Sequence, residues 1–72
     1  MNRHDADKWV AIARAAAALR AEVTREIDRL DRQYQYAEGE AYAAVRRATG
    51  QARLAAGDLY MVIALIEGRP IP

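Results

Sequence analysis

The chain has 72 residues, no cysteine, one histidine and a formal net charge of +1. A domain this short buries too little surface to be stable on its core alone. No disulfide can staple it, and with its one histidine, His4, near the start it is not expected to build a structural zinc site, so no metal or cofactor is expected. Acids and bases are closely mixed, which argues against a dedicated electrostatic binder of nucleic acid or of an anionic membrane.

Seventeen alanines and ten arginines against one lysine make a chain of strong helix formers. Two threonines, two prolines and no serine or phenylalanine leave little from which to build a sheet. The same bias toward Ala and Arg fits a GC-rich, bacterial or phage, coding genome. The longest apolar run, Leu59 to Ile66, falls far short of the roughly 20 residues that span a bilayer. No positively charged start is followed by an apolar core, so no secretory signal and no membrane partner are expected, and the expected setting is the cytoplasm.

In chain order, Asp5 and Asp7 offer side-chain oxygens and negative charge for a helix start, and residues 1–5 are expected to be flexible or extended. Ile12, Ala16, Leu19, Val23, Ile27, Leu30, Tyr34 and Ala37 then recur at spacings of three and four, which predicts one helix over about 6–37. On its other face Glu22, Arg25, Glu26, Asp28, Arg29, Asp31 and Arg32 alternate in sign as a solvated surface does. Gly39 suits the left-handed conformation that ends a helix, so a hairpin turn is expected there.

After the turn, Ala41, Val45, Ala48, Ala52, Ala55, Leu59, Val62 and Ile66 follow at 4, 3, 4, 3, 4, 3, 4, a heptad that predicts a second helix over about 41–67. Its first half is nearly all alanine, allowing close approach, and its last three positions are bulky. Gly50 and Gly57 each disfavour a helix interior by about 1 kcal/mol relative to Ala. Gly57-Asp58 also reads as a stop followed by a new cap, so a three-helix arrangement with a break there is the alternative. Gly68-Arg69-Pro70 ends the helix, leaving 68–72 as an extended end. The whole is a single all-α domain.

From Leu59 to Ile66 the helix is apolar nearly all round, and one neighbouring helix cannot cover it. Self-association is the economical solution, with Leu59, Val62, Ile63, Leu65 and Ile66 as the contact, and two hairpins forming a homodimeric four-helix bundle. Glu26 and Gln33 lie close to the first helix's seam, where polar groups can set register.

Chemistry is scarce. Covalent catalysis lacks serine and cysteine, and Glu22 with Glu26, one turn apart, have no inward histidine or second carboxylate pair beside them. No glycine-rich phosphate loop is present. The stretch from Arg25 to Asp31 resembles the first-helix signature of all-helical chorismate mutases, but the position where a second arginine is expected falls on Glu40. Gly50-Gln51 with Gly68-Arg69 is similar to the edges of the lambda Cro helix-turn-helix, but its recognition helix would be the apolar Met61 to Ile66. No enzyme and no small-molecule substrate are expected.

Two surfaces remain. Arg32, Tyr34, Tyr36 and Tyr42 cluster around the turn and are residue types enriched at binding hot spots. Arg46, Arg47 and Arg53 form a basic cluster that a two-fold dimer would double, a candidate nucleic-acid contact. The leading expectation is a non-enzymatic interaction protein, a regulator or phage-type inhibitor of a host protein. The alternative is a small dimeric nucleic-acid-binding helical protein.

Overall fold

A computed structural model describes residues 1–68 and shows an antiparallel helical hairpin: α1 spans Arg3–Gln33 and α2 spans Gly39–Glu67. The described residues contain no strand. The molecule is a rod of 54 × 20 × 14 Å.

The first helix starts earlier than the two aspartates suggest. Asn2 is the N-cap: its backbone is extended and its side-chain oxygen accepts from the Asp5 N–H at 2.8 Å. Asp5 therefore sits inside the first turn, where its charge still suits the helix N-terminus. Residues 3–5 are helical, not extended. The helix also stops sooner, at Gln33, because Tyr34 leaves helical geometry and Ala37 N–H donates to the Tyr34 carbonyl at 3.0 Å, closing a turn.

Gly39 has the left-handed φ expected of it, +61°, but stands at the first position of α2 instead of closing α1. Glu38 caps with its backbone alone. From there α2 runs unbroken through Gly50 and Gly57, so the three-helix alternative does not hold. Neither glycine has positive φ, and a Cβ built on either meets nothing within 4 Å. Gly68 ends the helix as expected, at φ +70° with its N–H on the Ala64 carbonyl. The expected extended end beyond it lies outside the described residues.

The contact between the helices is narrow and mostly alanine. On α1 the buried residues are Ala13, Ala16 and Ile27; on α2 they are Thr49, Ala56, Ile63 and Ala64. The predicted α2 heptad is therefore half right. Val45, Ala52 and Leu59 do lie at the interface, but the alternate positions are Thr49, Ala56 and Ile63, with Ala48, Ala55 and Val62 left exposed. The reason is that V-A-L at every seventh residue is shared by two overlapping seams, and the pattern alone does not say which the partner helix takes.

Thr49 is fully buried, and its hydroxyl donates to the Val45 carbonyl at 2.9 Å, so its burial strands no polar atom. The α1 stripe is corrected in the same way. Ile12 is 44% and Leu19 54% exposed, because Ala13 and Arg20 hold the inward positions. Arg20 donates through Nε to the Ala56 carbonyl at 3.3 Å and lies 5.3 Å from the centre of the Tyr60 ring. A second crosslink, Arg53 to Asp31 at 2.6 Å, stands nearer the turn.

Because Gly57 is exposed, lies in unstrained helix and has open space at its Cβ, Gly57→Ala should stabilise the hairpin by about 1 kcal/mol. Circular-dichroism melting should show a rise of about 4–8 °C in Tm. Gly39→Ala should lower it, since that φ strains a side chain.

Candidate interaction surface

Exposed apolar side chains gather in the half of the rod away from the turn. Between Trp9 and Leu19 the only charge is Arg14, and between Leu54 and Ile66 the only charge is Asp58. The hairpin lays these two segments side by side. Trp9, Val10, Ile12 and Leu19 on one helix, and Leu54, Met61, Val62 and Leu65 on the other, keep large apolar faces in solvent. At the open end a groove of about 560 Å³ runs between Trp9 and Val10 of α1 and Val62, Leu65 and Ile66 of α2.

Of the five residues expected to mediate association, Ile63 is buried inside the hairpin, and Leu59 and Ile66 are half covered by it. Val62 and Leu65 remain available, Leu65 at 67% exposed. Sequence reasoning missed Trp9, Val10 and Met1 at this end. The only tryptophan, opening an apolar run, was the available signal.

The surface area carries the same message. A folded monomer of 8.0 kDa exposes about 4,450 Å², whereas this chain exposes 5653 Å².

The turn end differs in chemistry. Tyr34 and Tyr42 share a shallow groove of about 200 Å³ with Asp31, Gln35, Val45 and Arg46. Arg46 lies 6.0 Å from the Tyr42 ring centre, at the outer limit of a cation–π contact. Tyr36, 88% exposed, stands at the tip. Arg32, in the last turn of α1, is exposed and does not line that groove.

The three arginines expected to contact nucleic acid all stand on α2, Arg46 and Arg53 seven residues apart on one flank. Arg53 is engaged with Asp31, Arg46 lies against Tyr42, and Arg47 is turned about 100° from Arg46 around the helix. Both threonine hydroxyls are turned back onto their own helix, Thr24 to the Arg20 carbonyl and Thr49 to the Val45 carbonyl. Among the described residues no group of three or more His, Cys, Asp or Glu is placed to hold a metal.

On the outer face of α1, Arg29 grips Glu26 through Nε at 2.9 Å and Nη2 at 3.0 Å, and reaches Gln33 through Nη1 at 2.7 Å. Those hydrogen bonds hold the Glu26 carboxyl below its ordinary range, and Glu26 in turn raises Arg29. A depressed carboxylate contributes stability above its unfolded value and loses it as pH falls through the folded one. Side-chain carbon NMR should therefore show Glu26 titrating below an ordinary glutamate, returning to that range in Arg29→Ala.

Comparison with known proteins finds no match to a family model, to a curated protein or to a solved structure, so the surfaces themselves are the basis for reading function.

Proposed function

We propose that this protein is a non-enzymatic interaction protein that works by occupying a surface on another macromolecule, in the manner of small regulators and phage-type inhibitors of host proteins. Its assembled form in this reading is a homodimeric four-helix bundle, and its setting the cytoplasm. The observation that carries the reading is the turn end, where Tyr42 stands beside Arg46 at a groove and Tyr36 is exposed at the tip. Tyrosine and arginine supply large, semi-rigid contact area with a polar handle, which is why they dominate binding hot spots.

Support for a role without catalysis comes from the poverty of reactive groups. The commonest side-chain nucleophiles are a cysteine thiol or a serine or threonine hydroxyl set beside a base. Here both threonine hydroxyls are committed to backbone carbonyls and no cysteine exists.

Affinity capture from cells expressing the protein should retain a macromolecular partner on the wild-type chain. The Tyr36→Ala/Tyr42→Ala variant should reduce its retention by about tenfold or more. Helicity should be unchanged, because both rings are exposed. Recovery of the same material by both chains would remove the turn end from the reading, and recovery of the protein alone by either would refute it.

A further inference from the structure

Helix α1 carries a second seam, pointing outward, that the hairpin leaves bare. Ile12, Ala15 and Leu19 form its middle, with Lys8 before them and Glu22 and Glu26 after. The spacing is 4, 3, 4, 3, 4, the periodicity of a helix that packs along a partner helix. All six residues are exposed. Asp5 and Arg29 continue the row at its two ends and are exposed as well. The seam lies one residue back from the inward positions Ala13, Ala16 and Ile27, a rotation of about 100° around the helix. Four-helix bundles ask each helix for two contact stripes at about a right angle.

Charge along this seam decides how a second copy can lie on it. Pairing two copies parallel sets Lys8 against Lys8 and Glu26 against Glu26, and like charges face each other at every polar level. Pairing them antiparallel about a two-fold axis at the height of Ala17 brings Lys8 level with the partner's Glu26. Asp5 then lies level with the partner's Arg29, and Ala15 with the partner's Leu19. Both polar pairs at the ends are then opposite in sign and symmetry makes each occur twice, while Ile12 lies level with the partner's Glu22. Lys8 carries no ion pair among the described residues, so it is free to take that role. Arg29 already holds Glu26, and the added lysine and aspartate extend that pair into a four-charge row.

We propose that a second copy of this chain docks antiparallel on the outer face of α1, along Ile12, Ala15 and Leu19, with Lys8 registered on the partner's Glu26. The apolar middle supplies the attraction and the charged ends set the direction. The chain as a whole exposes about 1,200 Å² more than a folded monomer of its mass, the excess expected of a rod that has a further face to cover. Ala15 at the crossing, with Ala18 on its flank, keeps it free of bulk, so the backbones approach closely. The two turn ends then lie at opposite poles of the dimer, leaving Tyr36 clear on both.

This inference deepens the reading of the protein as an interaction module by naming one partner as itself, and its test is separate from that of the turn end. Sedimentation equilibrium should give a dimer for the wild-type chain. Leu19→Asp should give a monomer with unchanged helicity, since Leu19 is outside the hairpin contact. Lys8→Glu and Glu26→Lys should each weaken dimerisation by about tenfold, two symmetric contacts turning from unlike to like. The double variant Lys8→Glu/Glu26→Lys should recover to within about threefold of wild type, because only antiparallel docking restores opposite charges. With no native cysteine, Tyr36→Cys accepts a spin label, and the two labels should lie beyond about 50 Å, on the order of the length of a 31-residue helix.

A monomeric wild-type chain would overturn the proposal, as would a dimer indifferent to Leu19→Asp. Singles that weaken without rescue in the double variant, or labels within about 20 Å, would overturn the antiparallel arrangement. None of these results depends on whether the turn end captures a partner.

Discussion

Two helices can cover only one stripe of each other, and everything else in this protein follows from that geometric limit. A hairpin rod of 54 Å gives each helix a single neighbour, so any apolar residue outside one narrow stripe stays in water. The stripe actually covered is built largely from alanine, with Ile27 and Ile63 as its large side chains. Alanine lets the helices approach closely but removes little apolar surface from solvent. A chain with more than half its residues hydrophobic therefore ends up with much of that surface outside.

The limit also explains how surface and chemistry divide along the rod. The open half carries most of the exposed aliphatic side chains and the smaller share of the charge, while the turn half carries most of the ion pairs and three of the four tyrosines. Apolar area without charge suits a lasting contact, whereas aromatic rings among arginines suit recognition. One short chain thus presents two unlike surfaces at different places on one rigid pair of helices.

Much of the fold was legible because helix propensity and three-four spacing dominate this composition. Two long helices, a turn near Gly39 and a stop at Gly68 all follow from local chemistry. What could not be read was rotation. Ile12 and Leu19 look like core residues because they continue the stripe of Val23 and Ile27, yet the register turns Ala13 and Arg20 beside them toward α2. Thr49 was equally hidden, since a threonine that satisfies its own hydroxyl can take a core position that a pattern of apolar letters passes over. The start of α1 was missed for a local reason: Asn2, not either aspartate, reaches the free N–H. For the interaction surfaces, residue type pointed to the tyrosines. The loss of Arg53 to Asp31 and the burial of Ile63 needed the packed structure.

The alanine seam has a mechanical side. Small side chains make shallow ridges, and shallow ridges resist sliding of one helix along the other less than interlocked leucines do. Alignment is held instead by polar latches set along the rod: Arg20 on the Ala56 carbonyl near the middle, and Arg53 on Asp31 toward the turn. The two arginines stand on opposite helices and reach across in opposite directions. Sliding carries both arginines off their acceptors, so the pair acts as a detent on an otherwise smooth track.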